Sequence, residues 1–201
     1  MNASPWHDNI FRFNISENDG LASDGKAGIY IWNSSRDANQ FYNCLVYNNT
    51  IYNTHEAAIS YSELSERKNF AFYNNIFVAE DSLIKGFRNN GDVYLGNDWW
   101  SIIKQFNAEN ITDFKKWAQQ NKQEMIAGKI VGMNVYPAFA HAGNATITSE
   151  DSLKTFINYQ LPQGSFLRTN GIDLKKNYSI NNGGIDFFLN PISIYGIGAC
   201  F

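Results

Sequence analysis

Few residues in this chain have the types and spacing that chemistry requires. His55-Glu56, following Tyr52-Asn53-Thr54, sets an imidazole beside a carboxylate, the best adjacent pair for moving a proton near neutral pH. They are neighbours in sequence only, and a turn there can equally point the two side chains apart. Asp19 and Asp24 flank Gly20 in a turn-rich stretch, with Arg12 and Lys26 close by. Two carboxylates converging at a turn could bind a cation such as calcium, with a Lys or Arg near enough to act as a base. Both also read as ordinary turn aspartates next to Gly20 and Gly25. Glycoside hydrolysis asks for two carboxyl groups roughly 5–10 Å apart. Glu17, Asp37, Glu56, Glu63, Glu66, Glu80 and Asp81 share no common phase that would deliver such a pair. The other histidines, His7 and His141, have no partner context, and Cys44 and Cys200 offer no metal-ligand spacing.

Aromatic residues offer binding rather than catalysis. Trp32, Tyr30 and Tyr61 fall in short β-type runs, and an exposed ring in such a place gives a sugar a flat apolar face. Trp99-Trp100 sits where the strand pattern ends; the pair could offer the same kind of platform, and is read rather as core, covering the junction with Phe114 and Trp117.

Composition fits that emphasis. Charged residues are only 17% of the 201, the formal net charge is −3, and Asn, Ser, Gly, Tyr and Phe are abundant. No basic footprint for nucleic acid exists, and no stretch approaches the ~20 apolar residues of a membrane span. Neutral amides, hydroxyls and rings suit weakly charged sugars, and they equally suit the turns of a β-solenoid. Met1 to Asp8 contains no basic and apolar signal sequence.

The elements that must position these groups come from a repeated phrase. Phe13-Asn14-Ile15-Ser16, Tyr47-Asn48-Asn49-Thr50-Ile51-Tyr52 and Tyr73-Asn74-Asn75-Ile76-Phe77 each centre an Asn in a β-branched and aromatic run. Asn14 to Asn49 is 35 positions (49 − 14) and Asn49 to Asn75 is 26 (75 − 49), spacings that mark stacked units burying their apolar faces against one another. Strands are expected over 10–15, 29–32, 41–47, 50–52, 58–61, 70–73, 76–78, 83–87 and 93–95. No tight hairpin turn separates matched pairs of them, so each should pair in parallel with its counterpart one coil away. Asn14, Asn49 and Asn75 would then stack as an internal amide ladder with a structural role. The pattern changes after Trp100: a helix is expected over 113–121, capped by Thr112 or Asp113 and stopped near Gly128, with a loop-rich tail beyond Val131. The division is 1–105 for the coils and 106–201 for helix plus capping tail, with Phe187, Phe188 and Ile197 packing on the coils.

Here the chain resembles a known family. Arg12-Phe13-Asn14-Ile15-Ser16-Glu17-Asn18-Asp19-Gly20, Gly28-Ile29-Tyr30-Ile31-Trp32 and Tyr47-Asn48-Asn49-Thr50-Ile51-Tyr52 resemble right-handed parallel β-helix repeats of the pectate-lyase-like superfamily. Tyr136-Pro137-Ala138-Phe139, the run from Phe156 to Leu174, and Asp186-Phe187-Phe188-Leu189-Asn190-Pro191 with Gly196-Ile197-Gly198-Ala199-Cys200-Phe201 are similar to the segments that close such solenoids. Tyr136 and Gly196 stand where that family usually has Asp, and Phe166 where it has Pro. The resemblance implies an all-β parallel β-helix with a C-terminal cap, from an exported protein acting on polysaccharide, and implies further coils upstream. Calcium is the cofactor such a lyase would use. The signatures of the polygalacturonase group, including Gly-His-Gly and Arg-Ile-Lys, are absent.

Three functions follow as expectations. The first is a C-terminal, non-catalytic part of a polysaccharide-binding or polysaccharide-degrading β-helix protein, with any lyase or hydrolase site in upstream coils. The second is a carbohydrate-binding or adhesive solenoid. The third is a purely structural coil stack, which would assemble into tight oligomers.

Overall fold

A computed structural model describes residues 4–20, 26–63, 66–80, 82–193 and 195–201. The chain is mostly β, and it climbs in successive coils. The first holds β1 (Trp6–His7), β2 (Ile10–Arg12), β3 (Ile15–Glu17) and β4 (Ala27–Ile31). The second holds β5 (Phe41–Tyr42), β6 (Leu45–Tyr47), β7 (Thr50–Asn53) and β8 (Ala57–Tyr61). Then come β9 (Ala71–Tyr73), β10 (Ile76–Ala79) and β11 (Ile84–Lys85), and finally β12 (Val93–Leu95) and β13 (Asp98–Ser101). Each strand pairs in parallel with its counterpart, giving three larger sheets ordered β2-β6-β9-β12, β3-β7-β10-β13 and β4-β8-β11, and a two-stranded sheet β1-β5. The architecture is parallel and β-helix-like.

Left-handed corners break the long runs that the sequence suggests. Phe13, Asn48, Asn74 and Gly96 have φ of 50°, 51°, 52° and 70°, and each separates a strand of the first sheet from one of the second. Asn and Gly enter this region at little cost, whereas Phe13 does so against its preference. So the expected strand 10–15 is two strands, and 41–47 is likewise split at Asn43, whose φ is 56°.

The predicted ladder forms and is longer than predicted. The side-chain Oδ1 of Asn49 accepts from both nitrogens of Asn14, that of Asn75 from both of Asn49, and that of Asn97 from both of Asn75, all at 2.9–3.0 Å. Each Nδ2 also donates to a backbone carbonyl, such as Val46 O for Asn75 and Phe72 O for Asn97. The last rung is a carboxylate. Glu124 accepts from Asn97 Nδ2 at 2.7 Å, Asn97 N at 3.2 Å and Trp99 Nε1 at 2.8 Å. Every amide therefore points its donor end the same way, and the chain of dipoles terminates on an acceptor.

Inside the coils, register stacks like on like. Phe11, Val46, Phe72 and Tyr94 form one column, and Ser16, Ile51, Phe77 and Trp99 another. The helix α1 (Phe114–Asn121) closes the far end, with Trp117 fully buried 5.4 Å from Trp99. Asp113 is its cap, accepting from Lys116 N at 2.6 Å, and Lys122 in the left-handed region ends it. The expected stop at Gly128 instead lies between the hairpin strands β14 (Met125–Ile126) and β15 (Lys129–Ile130).

Beyond residue 131 the chain returns along the flank of the coils, rather than capping the end. Phe139, Tyr159, Leu161, Leu167 and Ile197 bury the outer face of the second sheet around Ile76 and Val78, with Phe187 and Phe188 against the same cluster. Leu174 and Tyr178, from α2 (Leu174–Tyr178), cover Tyr47, Tyr73 and Leu95 of the first sheet. Gly198 lets the terminus lie directly on the second sheet. A Cβ there would sit 2.6 Å from Ile76 Cδ1 and 2.9 Å from Thr50 Oγ1, and its φ is 94°. Cys44 and Cys200 are both buried free thiols.

Candidate functional site

The second sheet alternates strictly. Ile15, Thr50, Ile76 and Asp98 stack outward beneath the returning chain, and two positions on, Glu17, Tyr52, Val78 and Trp100 make a second outward column. The returning segment stands off from that second column and leaves a cleft of about 790 Å³. Tyr52, Val78 and Trp100 form its floor, Tyr136, Phe139 and His141 its opposite wall, and Lys104 and Asn144 its polar groups. Tyr136 is 60% exposed and its ring centroid lies 5.4 Å from that of half-buried Trp100, the two rings tilted at 49° where floor and wall meet.

Glu17 holds the wall in place. Its carboxylate accepts from Ala145 N at 2.9 Å, from Gly143 N at 3.2 Å and from the Tyr159 hydroxyl. These bonds tie the loop 141–145 to the first coil across the width of the sheet. Burial pushes the Tyr159 phenol up, so it remains a donor to Glu17 at any ordinary pH. Tyr52 is pushed up too, by burial first and by the Glu17 charge second.

Two buried carboxyls lie behind the site. Asp98, fully buried at the foot of Ile76, accepts from Val135 N at 2.9 Å through Oδ1, while Oδ2 has no partner among the described residues. Desolvation lifts it to about 8, against the two backbone bonds that oppose the rise. Glu124 is lifted to about 7 by the same cause, partly offset by its donors from Asn97 and Trp99. They act on stability and do not face the cleft lining.

The residues singled out from sequence are dispersed. His55 is exposed, and the backbone N–H groups of His55 and Glu56 both donate to Asn53 Oδ1 in a turn. No hydrogen bond joins the two side chains. Asp19 is exposed and accepts from Ser16 Oγ at 2.6 Å, while Asp24 lies outside the described residues. Among the described residues, no group of three or more His, Cys, Asp or Glu converges as a metal site. Tyr61 is a correction. It pairs with Ile31 and is 4% exposed, with Arg67 3.6 Å above its ring and its hydroxyl bonded to Tyr94. Tyr30 pairs with Ser60, so alternation puts Tyr30 and Tyr61 on opposite faces of the third sheet and forbids a common row. Arg67 itself is buried against Asp92 at 2.8 Å, an ion pair that anchors the core.

Trp32, 59% exposed, and Tyr30 border a different opening. With Trp6, Phe11, Ile29 and Val46 they line an apolar cavity of about 920 Å³ at the N-terminal end of the coils. Sequence reasoning preferred a core role for this tryptophan pair because it treated Trp99-Trp100 as one unit. Period-two alternation was the available signal: Trp99 enters the core and Trp100 faces out. Among the described residues, no helix is long and apolar enough to cross a membrane. No family model, curated protein or solved structure matches the chain.

Proposed function

We propose that this chain binds a polysaccharide in the Tyr52–Trp100–Tyr136 cleft, and that it is a non-catalytic, C-terminal part of an exported, right-handed parallel β-helix protein of the pectate-lyase-like type. Exposed Tyr136 beside half-buried Trp100 supports the reading most directly. Sugars present apolar C–H faces, which stack on aromatic rings, and hydroxyls, which need neutral or cationic hydrogen-bonding groups at the rim. Lys104, His141 and Asn144 stand at that rim. A groove running along stacked coils fits a linear chain better than a compact metabolite. The cleft lining includes no Asp or Glu, which favours holding a glycan over cleaving its glycosidic bonds.

Affinity electrophoresis against a panel of soluble plant, algal and animal polysaccharides tests the reading. Retardation by at least one of them, weakened about tenfold or more in both Tyr136→Ala and Trp100→Ala, is the expected result. Tyr136 is exposed enough that its loss leaves the fold intact. No retardation by any polysaccharide, or retardation that neither substitution changes, would refute it. Sustained release of unsaturated or reducing ends would overturn the non-catalytic part alone.

A further inference from the structure

We infer that the glycan site continues past the cleft: a second subsite, behind the wall segment 136–142, takes a further sugar unit that presents two acceptor oxygens side by side. This inference rests on the cleft reading and extends it. The subsite is a hollow of about 560 Å³, lined by Ala138, Ala140, Ile157, Gln160, Gln163 and Arg168 among others. Ala140 lines both the hollow and the cleft. The ridge between them is low, because neither Ala138 nor Ala140 carries anything beyond a methyl group. Both are exposed, and Ala138 holds a φ of 54°, a left-handed region that bulky or β-branched side chains avoid. The backbone itself thus keeps the crossing clear for a chain lying in the cleft.

Arg168 indicates what the hollow receives. Its side chain is half-buried, yet among the described residues it forms no ion pair, and its one hydrogen bond runs from Nη1 to Leu161 O at 3.1 Å. Asp186, the acidic group that shares its surroundings at Cys200, commits its carboxylate to Phe188 N, Asn190 N and Asn190 Nδ2 at 2.9–3.1 Å. Partly desolvated charge without a counter-charge is costly, and a ligand that brings acceptors relieves it. Nη2 and Nε are left as parallel donors, in the planar fork that matches paired oxygens. The Gln160 and Gln163 amides line the same hollow, with no side-chain bond to the protein among the described residues. No Asp or Glu lines it, so a carboxylate or sulfate ester enters unopposed, and vicinal hydroxyls fit the same fork. Ile157, 51% exposed, adds an apolar edge for the C–H face of the sugar.

Titration calorimetry with size-graded oligosaccharides, cut from each polysaccharide of the panel, provides the test. Two subsites joined by one ligand chain act as linked sites, so affinity should step up about tenfold or more at one chain length. That step should vanish in Arg168→Gln and shrink in Gln163→Ala, with the shorter oligosaccharides bound as before, whereas Tyr136→Ala weakens every length. Gln163 is exposed, so its variant reads the hollow even where Arg168→Gln disturbs the Leu161 contact. A step confined to carboxylated or sulfated chains assigns the paired oxygens to an anion, and a step kept in a neutral series assigns them to vicinal hydroxyls; either supports the subsite. Affinity independent of length, or a step that neither variant changes, would overturn it while leaving the cleft reading intact. Binding at no length would refute both.

Discussion

The two ends of the coil stack are built from the same columns and finished in opposite ways. At the C-terminal end the aromatic column runs from Tyr94 and Trp99 into Trp117, and the amide ladder runs into a buried carboxylate. At the N-terminal end the same column stops at a half-exposed Phe11 and the ladder at Asn14, whose side-chain carbonyl no donor among the described residues reaches. A repeat stack therefore stores little stability in any one coil. Stability depends on what covers the last one, and the covered end supplies both apolar area and the matching hydrogen-bond polarity.

The largest effects should come from uncovering the closed end. Trp117→Ala is expected to cost about 3–5 kcal/mol, while Phe11→Ala at the open end should cost less than about 1 kcal/mol. Urea unfolding of both variants measures the contrast, and equal losses would break it.

Next in size is the ladder. Asn75→Ala strips the acceptor from both Asn49 nitrogens and the donor from Val46 O, all buried, and should cost about 3 kcal/mol. Asn14→Ala, at the open rim, should cost under about 1 kcal/mol. A comparable loss for both would mean that the ladder has no closed interior.

The third effect depends on pH. Glu124 and Asp98 have ordinary carboxyl pKa values of 4.5 and 3.8 when unfolded, and burial raises them to about 7 and about 8 in the fold. The folded state therefore holds these protons more tightly. Their contribution is fully present below about pH 4 and is lost as pH rises through 7 and 8, a change on the order of a few kcal/mol. The melting temperature should fall between pH 5 and pH 9, and Asp98→Asn should flatten that fall. A melting temperature that rises over the same range would contradict the assignment.

Smallest is the seam between tail and coils. Gly198→Ala must enter a left-handed φ and press on Ile76 and Thr50, for an expected loss of about 1–3 kcal/mol. Limited proteolysis should then cut within 139–167 faster than in the parent.

Much of the coil architecture was legible, because the Asn phrase carries both the corner and the rung. Asn97 was missed since its coil replaces the aromatic-Asn entry with Leu95-Gly96, although Gly supplies the same left-handed corner that Asn48 and Asn74 supply. Glu124 had no local signal at all. Its place on the ladder is set by where α1 docks, a tertiary fact. The cleft was partly legible through Trp100, but its opposite wall depends on Glu17 reaching across 126 residues to Gly143, which no spacing rule reveals.

Native-state hydrogen exchange, followed residue by residue, tests the contrast between the ends most directly. The account predicts that the backbone amides of Asn75 and Asn97 exchange only through global unfolding. It also predicts that the amides of β2 and of Asn14 exchange at least a hundredfold faster. Protection at β2 and Asn14 equal to that at β12 and β13 would contradict it.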